Sequence, residues 1–353
     1  MSSAGGISGS TAGQRGGTSV GSASGPVAAT LDTPLYRLHK PADLAVLVLT
    51  LLSHGCPTQA IVAAFGLDER TVAHGLASAG QQCQRVHEHL VEPGQVAVRH
   101  VQADELWIKQ VGAKVWMALA RAVPSRRWLG GVISRHPDLD LITRLVQRVR
   151  ACSVPPAILV CVDGLASYVT AFLRVFGQPI RTGRRGRPRL VLPAGFQFAQ
   201  VVTHAAKRQV VGVTRRVVHG TLAGIEAVLT ATATGTVITT AYIERLTATF
   251  RAPLAPRTRR GRAIARTDAA LTAGMWLVGT AYTFCWPHDS LRQRAPDQAP
   301  RTWLQRTPTM AAGLTDHGWT LDELLRFQIP VPRWVPPRRR GRPPQRPHLA
   351  VAA

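Results

Sequence analysis

The sequence predicts an α/β chain in which a mixed β-sheet is flanked by helices and preceded by an all-α helix-turn-helix region. Between about Val96 and Phe176 the hydrophobic pattern gives three strands, a helix, a strand and a helix, an order typical of an α/β fold. Short apolar helices separated by glycine turns precede it, over residues 33–94. Residues 1–32 are rich in Gly, Ser and Ala and predict a disordered lead.

The N-terminal helical region has the pattern of a helix-turn-helix. Gly66–Asp68 forms a turn between a short apolar helix and a helix predicted over Glu69–Ala79. In a helix-turn-helix the second helix enters the DNA major groove. The side chains then predicted to face DNA are Arg70, Thr71, His74 and Ser78. An ordinary helical hairpin gives the same pattern and remains the alternative.

The α/β region is predicted over residues 95–295, with a basic insertion around residues 178–235. Its predicted strands are Val96–Glu105, Val115–Ala122, Trp128–Ile133 and Ile158–Val162. Its predicted helices are Leu139–Val149, Leu165–Phe176, Gly220–Leu229 and Thr240–Leu254. The uncharged run from Ala269 to Pro287 is interpreted as a buried helix, since its threonines and glycines argue against a membrane span. Residues 296–353 predict an irregular basic tail rich in Pro and Arg.

Charge indicates the class of partner. The chain has 353 residues with 43 Lys+Arg against 19 Asp+Glu, which gives a net charge of +24. Such an excess favours a polyanion, most simply DNA, over a membrane surface, because neither a basic amphipathic helix nor a lipidation motif is present. The five cysteines form no CxxC motif, so a zinc finger or a disulfide framework is not expected. We therefore expect a cytoplasmic, nucleoid-associated protein with no membrane partner.

Acidic residues are scarce, so their positions are informative. Asp104 and Asp163 are each predicted to end an apolar strand, where open α/β sheets place their chemistry. A two-metal phosphoryl-transfer site needs several carboxylates that converge on a pair of hard cations. The alternative is that each aspartate caps the element that follows it.

A third carboxylate is sought on the helix that begins near Thr240. Glu244 shares one face of this helix with Arg251, which suits a metal ligand beside a phosphate contact. A solvated glutamate on an amphipathic helix is the simpler interpretation of the spacing alone. Glu226 is the only other acid between Asp163 and Glu244.

Three segments together resemble the DDE transposases of bacterial insertion sequences, in the group whose first motif reads Asp-Glu-x-Trp. They are Ala103–Trp107 (ADELW), Cys161–Tyr168 (CVDGLASY) and Ala241–Arg251 (AYIERLTATFR). The resemblance implies an RNase H-like catalytic fold and a homodimer or higher oligomer on DNA. It also implies metal-dependent cleavage at element ends, followed by strand transfer into target DNA.

The same resemblance carries metal ligation and catalysis onto Asp104, Asp163 and Glu244, with Mg²⁺ as the cofactor and Mn²⁺ as a substitute. Two departures bear on this assignment. Thr247 stands where many relatives have Asn, and the long gap before Glu244 leaves Glu226 open as the third ligand. Glu105 is interpreted as a neighbour without a metal contact, and competition with Asp104 is the alternative.

Arginine clusters predict further DNA contacts. Arg184–Arg189 and Arg339–Pro344 share an Arg-Gly-Arg-Pro core that resembles the AT-hook, a minor-groove peptide. A generic basic loop that binds phosphate is the alternative. The arginines predicted to contact DNA are Arg187, Arg251, Arg259, Arg260, Arg340 and Arg342. The tryptophans predicted to lie in the core are Trp107, Trp116, Trp128 and Trp276.

Two other functions fit the same sequence. One is a non-catalytic DNA-binding regulator that uses the helix-turn-helix and the basic arms. The other is an RNase H-like nuclease that cleaves DNA without strand transfer. Metal-independent binding without cleavage favours the first, and strand-transfer products exclude the second.

Overall fold

The structure is a computed structural model. It describes residues 33–36, 38, 40–93, 96–110, 113–153, 158–181, 183, 186–207, 209–254, 267–295 and 303–330. The helices are α1 (Ala42–Ser53), α2 (Thr58–Phe65), α3 (Glu69–Leu90), α4 (Leu139–Ala151), α5 (Ala166–Phe176), α6 (Leu222–Ala231), α7 (Ala241–Leu254), α8 (Asp268–Phe284), α9 (Pro308–Ala311) and α10 (Leu321–Arg326). The strands are β1 (His100–Gln110), β2 (Ala113–Ala122), β3 (Trp128–Ser134), β4 (Leu159–Asp163), β5 (Gln178–Ile180), β6 (Arg189–Val191), β7 (Gln197–Ala206), β8 (Gln209–His219), β9 (Gln293–Arg294) and β10 (Trp303–Leu304).

A six-stranded mixed sheet organises the chain, in the order β3-β2-β1-β4-β7-β8. β1, β2 and β3 form an antiparallel meander, and β4 and β7 add parallel to β1. β8 returns antiparallel to β7 at the edge. This architecture confirms the predicted mixed α/β sheet flanked by helices, and it is compatible with an RNase H-like fold.

Helices cover both faces of the sheet. α4 and α5 pack against each other on one face, where Phe172 of α5 contacts Phe198 of β7. On the other face, α7 and α8 surround Trp128 of β3, whose ring lies 5.5 Å from that of Phe250 and 5.2 Å from that of Trp276. A smaller apolar cluster lies between α6 and the strands β4 and β7. The two faces of β1 therefore meet different helices.

The helices α1, α2 and α3 share one continuous apolar core with the sheet. Helix α3 was predicted to end at Ala79, which is wrong, because it runs to Leu90. Its buried stripe continues past Gly80 through Cys83 and Val86, and this extension packs on α8. Helix α8 itself is almost fully buried, as predicted for the uncharged run. Within the described residues, no helix is both long and apolar enough to cross a bilayer.

The contact between α3 and α8 depends on Gly80. A Cβ atom added there would lie 2.6 Å from the Cα of Ala273, so we expect Gly80→Ala to lower the free energy of unfolding by about 1–3 kcal/mol. Gly75 lies on the same helix with no atom within 4 Å of an added Cβ. We expect Gly75→Ala to stabilise the chain by up to about 1 kcal/mol, since alanine is the better helix former. Urea unfolding of both variants checks this, and equal effects would contradict the close packing.

The strand β1 differs from its prediction at both ends. It was predicted to begin at Val96 and to end at Asp104–Glu105, but it begins at His100 and continues to Gln110. Antiparallel pairing with β2 stabilises this extension as far as the pair Gln110–Ala113. The parallel pairing with β4 stops at the pair Ala103–Val162. Asp104 thus lies beside the end of β4, although its own strand, β1, continues.

Two segments outside the six-stranded sheet also have secondary structure. Residues 178–193, predicted as a basic insertion, contain the two-stranded ribbon β5–β6. The described part of the C-terminal segment contains α10, which begins with a capping box between Thr320 and Glu323. Leu324 and Leu325 of α10 are fully buried, and this helix packs on α1, α3 and α8.

Candidate metal centre

Three carboxylates converge at the end of β4. Asp104, Glu105 and Asp163 each offer an oxygen, and these oxygens all lie within 4.8 Å of one another. All three side chains are half-buried. Among the described residues, this is the one group of three or more His, Cys, Asp or Glu side chains close enough to hold a metal ion. We call these three residues the acid cluster.

Strand register explains why the two aspartates meet. Ala103 pairs with Val162 in the parallel ladder between β1 and β4, so the next position places Asp104 beside Asp163. Side chains alternate along a strand, and both aspartates therefore lie on the face that α6 and α7 cover. Glu105 starts from the opposite face, toward α5, and its longer side chain reaches the same point. The cluster thus draws on both faces of the sheet.

Burial and mutual repulsion change the acidity of the cluster. The pKa of Asp104 is raised from 3.8 to about 6, first by burial and then by the charges of Asp163 and Glu244, against the opposing effects of the Glu105 N–H and Arg251. Burial and Asp163 raise the pKa of Glu105 from 4.5 to about 7. Burial also raises the pKa of Asp163. Each carboxylate is thus harder to ionise than in water, which is typical of a functional site.

Neighbouring groups fix the position of each acid. The hydroxyl of Tyr168, a fully buried residue of α5, donates to Glu105 Oε2 at 2.9 Å. Asp163 Oδ1 accepts the backbone N–H of Leu165 at 3.0 Å and so closes the turn into α5. Asp104 Oδ1 accepts the N–H of Glu105 at 2.9 Å. These bonds orient the carboxylates before any ligand arrives.

A buried glutamine holds the backbone behind Asp163. Gln200 of β7 is fully buried, and its Nε2 donates to the carbonyl oxygen of Asp163 at 2.9 Å and to that of Leu165 at 3.2 Å. Its Oε1 accepts from Arg216 Nε at 2.9 Å. Both polar ends of the glutamine are therefore satisfied, which fixes the turn after β4.

Two buried polar side chains dock the start of α7 on the sheet. Gln102 Oε1 accepts the N–H of Ile243 at 2.9 Å, and Arg121 Nη1 donates to the carbonyl of Tyr242 at 2.6 Å. Glu244 follows directly and is exposed, with Oε1 accepting from Thr240 Oγ1 at 2.7 Å. Its charge reaches Asp104, but its oxygens do not join the acid cluster.

The structure therefore brings only two of the three predicted ligands into the acid cluster. Asp104 and Asp163 are brought together, Glu244 lies within electrostatic range, and Glu105 occupies the third place in the cluster. Glu226 lies exposed on α6 and does not belong to the cluster. Glu105 was predicted to be a neighbour without a metal contact, but the structure places its carboxylate together with those of Asp104 and Asp163.

A hard divalent cation fits this donor set. The cluster offers only carboxylate oxygens, which Mg²⁺ and Mn²⁺ prefer, and no sulfur or imidazole that would favour zinc. The pKa values of Asp104 and Glu105 are raised first by burial and then by the neighbouring negative charge, and a bound cation would oppose both effects. Asp104, Glu105 and Asp163 are thus the described residues best placed to hold a metal.

The predicted DNA contacts fall in different parts of the chain. Arg70, Thr71 and His74 are exposed on the first turns of α3, where they line a cleft of about 730 Å³ against α1. Arg251 is exposed on α7, and its charge lowers the pKa of Asp104. Arg187 is exposed just before β6. The predicted contacts outside the described residues are Arg259, Arg260, Arg340 and Arg342.

Sequence reasoning missed several residues that build the site. Gln102 and Gln200 are polar side chains inside apolar strands, a pattern that signals a buried hydrogen-bond role. Tyr168 lay within a recognised motif without an assigned role. Trp128 and Trp276 are buried as predicted, and Trp116 is half-buried. The prediction that Trp107 lies in the core is wrong, because 47% of it is exposed.

Comparisons with known proteins do not assign a family to the chain. No family model matches the chain, and no curated protein matches it. Thirteen chains of solved structures match, among them the crystal structure of the catalytic domain of Mos1 mariner transposase. That match covers 60% of this chain and 90% of the other, at 10% identity and a TM-score of 0.19. A TM-score this low carries no argument about function.

Proposed function

We propose that the chain is a DDE-type transposase that cleaves DNA at element ends and transfers the freed strand into target DNA. The observation that carries the proposal is the convergence of Asp104 and Asp163, on adjacent parallel strands, within a cluster of carboxylate oxygens less than 4.8 Å apart. The net charge of +24 supports DNA as the substrate. The motifs around Asp104, Asp163 and Glu244 support transposition over other phosphoryl transfers.

The side chains of the cluster serve the reaction by holding oxygen ligands in place. When bound, two divalent cations supply activation of the attacking hydroxyl and neutralise charge on the leaving oxygen. Asp104 and Asp163 must be ionised for this role, and the N–H groups of Glu105 and Leu165 keep them oriented. Arg251 brings positive charge to the same place and suits contact with a DNA phosphate.

The third ligand is proposed to be Glu244, with Glu105 as the competing candidate. Glu244 stands on a helix whose first turn is fixed by Gln102 and Arg121, so its backbone is held close to Asp104. Glu105 is nearer in the metal-free chain, but its carboxylate is already bonded by Tyr168. Glutamine substitutions at both positions distinguish these candidates.

We also propose that α2 and α3 form a helix-turn-helix that binds the element ends. Gly66 ends α2 in the left-handed conformation at φ 60°, and Asp68 caps α3 by accepting the N–H of Arg70 at 2.8 Å. Beyond this cap, Arg70, Thr71 and His74 are exposed along the first turns of α3. Exposed polar and basic side chains at the start of the second helix support this proposal.

Arg70→Ala is expected to weaken binding of an element-end duplex by about 1–3 kcal/mol if the arginine contacts a base, and to relax sequence preference there. If it contacts a phosphate, binding should weaken equally for all sequences and the salt dependence should decrease. Arg135 is a matched control on the surface, paired with Asp268 at 2.8 Å, and Arg135→Ala should not change DNA binding. Fluorescence anisotropy with specific and random duplexes measures both effects.

The direct test of the proposed function is strand transfer by the purified chain. A labelled duplex with a pre-cut end is incubated with plasmid DNA in Mg²⁺, in Mn²⁺ or in EDTA. Metal-dependent joining of the label to the plasmid supports a transposase. Cleavage without joining would indicate a nuclease, and binding without either product would indicate a DNA-binding regulator.

A further inference from the structure

The hairpin formed by β1 and β2 extends beyond the acid cluster. β4 ends at Asp163, whereas β1 continues from Glu105 to Gln110 and pairs with β2 throughout. Side chains two residues apart share a face of a strand, about 7 Å from one another. The face that carries Glu105 therefore continues directly into Trp107 and Lys109.

This extension presents aromatic and basic side chains together. Trp107 is 47% exposed, and the Lys114 ammonium lies 5.1 Å from the centre of its ring. Trp107 pairs across the hairpin with Trp116, which is half-buried against the main core, and Lys109 pairs with Lys114. Cross-strand partners share a face. The exposed indole thus shares one face of the hairpin with a partly buried tryptophan and two lysines.

An exposed tryptophan in this setting requires an explanation. A large aromatic side chain is usually buried, and exposure of nearly half its surface loses favourable transfer energy. The Lys114 ammonium of the opposite strand lies over the ring, and this ammonium is strongly hydrated and its stem is flexible. The ring is therefore free to receive a flat partner once the lysine moves to a neighbouring phosphate.

We propose that Trp107, with Lys109 and Lys114, forms a stacking platform for an unpaired nucleobase of DNA held at the acid cluster. Aromatic side chains on an open sheet surface stack single-stranded bases, and adjacent cations bind the backbone. The platform lies one side-chain position beyond Glu105, so a strand that leaves the cluster along β1 meets it first. A base within an intact duplex cannot reach the ring, which makes the platform selective for single strands.

Charge favours DNA over a second copy of this chain as the occupant. A symmetric contact through this face would bring Lys109 and Lys114 of each copy toward those of the other, with Glu105 as the only acid on the same face of the hairpin. Like charges placed together disfavour such pairing. A nucleic acid strand supplies both the flat base and the phosphates that these residues complement.

The location of this platform rests on the proposed function, since that function places DNA at the acid cluster. The test measures binding of the full chain in EDTA, where metal-dependent chemistry does not occur. Its probes are a labelled oligothymidine of about eight nucleotides and an abasic strand of equal length and charge. Anisotropy then compares both affinities among the wild type, Trp107→Ala and Trp107→Phe.

We expect Trp107→Ala to weaken oligothymidine binding on the order of tenfold. The abasic strand should bind all three proteins equally, and Trp107→Phe should keep most of the thymidine preference. Trp303→Ala is the matched control, because Trp303 is 43% exposed with Arg292 4.5 Å from its ring centre but belongs to the separate ribbon β9–β10. This control should bind as the wild type does.

Three results would overturn the platform. These are an unchanged thymidine preference in Trp107→Ala, an equal loss for the abasic strand, or the same loss in Trp303→Ala. Light scattering provides a separate check, since a dimer that dissociates in Trp107→Ala would assign the face to a second copy. If thymidine preference depends on Trp107 while strand transfer fails, the platform stands and the proposed function falls.

Discussion

Asp163→Asn is expected to abolish metal-dependent DNA cleavage and strand transfer, with a rate loss of about 10³-fold or more. The reason is that the acid cluster loses one of its charges, and metal-assisted charge stabilisation contributes several kcal/mol to such reactions. Asparagine retains an oxygen for the N–H of Leu165, so the turn after β4 should persist. The measurement is a single-turnover assay with a labelled element-end duplex in Mg²⁺.

The control for this prediction is Glu226→Gln. Glu226 is exposed on α6 and is not part of the acid cluster, so this variant should react as the wild type does. Activity of Asp163→Asn within a few-fold of the wild type would remove the carboxylate chemistry from the proposal. A large loss in Glu226→Gln would instead restore Glu226 as the third ligand.

The choice between Glu244 and Glu105 follows from the same assay. If Glu244 is the third ligand, Glu244→Gln should lose activity to the same degree as Asp163→Asn. Glu105→Gln should then lose less, because Tyr168 already binds this carboxylate in the metal-free chain. The reverse ranking would assign the third ligand to Glu105, which stands in the cluster as the chain is folded here.

Divalent metal is expected to raise the Tm of the chain in a strongly pH-dependent way. At about 100 times Kd, metal binding adds about 2.7 kcal/mol, which corresponds to a rise in Tm of roughly 4 °C for a chain of this size. The pKa values of Asp104 and Glu105 are raised to about 6 and about 7, so the ligands are protonated in acid. The metal-induced shift in Tm should therefore be near its maximum at pH 8 and nearly absent at pH 5.

Without metal, the contribution of the acid cluster to the stability of the fold should decrease as pH rises. Because their pKa values are raised in the folded state, Asp104 and Glu105 stabilise the fold most below about pH 4 and lose that contribution as pH rises through about 6–7. Neutral Asp104→Asn should accordingly raise the metal-free Tm at pH 8 and remove most of the response to metal. Differential scanning fluorimetry with Mg²⁺ or EDTA at each pH measures both quantities.

Buried histidines complicate the pH dependence of Tm itself. Burial lowers the pKa values of His87 and His100 from 6.5 to about 3, so both side chains are neutral in the folded chain. Because they take up protons in the unfolded chain, the fold loses stability as pH falls below 6.5. Comparison with and without metal at one pH cancels this contribution. A metal-induced shift that is equal at pH 5 and pH 8 would contradict the role of the cluster.

The hydrophobic pattern was sufficient to predict most of the architecture. Continuous apolar runs such as Leu159–Val162 and Val115–Ala120 give strands in the order observed. The scarcity of acids drew attention to Asp104 and Asp163, which the structure brings together. These inferences succeeded because they depend on local periodicity and composition, which the sequence carries directly.

Other features depended on contacts between distant segments. The length of β1 beyond Glu105 is set by pairing with β2, and the length of α3 is set by packing on α8. The sequence of β1 or of α3 alone does not reveal these partners. The predicted C-terminal ends of β1 and α3 therefore fall before the observed ones. The same pairing places Trp107 beyond the part of the sheet that the helices bury, and the residue pattern of β1 alone did not predict this exposure.

The sequence by itself determined the mixed α/β class, the basic character and the two aspartates, because periodicity, charge and residue scarcity are local or summed properties. Only the tertiary structure decided that Glu105 joins them, that Gln200 and Tyr168 hold them, and that Glu244 stands apart. Strand register and helix docking set these distances, and both arise from contacts across many tens of residues. The third ligand is for that reason the part of the site that the sequence left open.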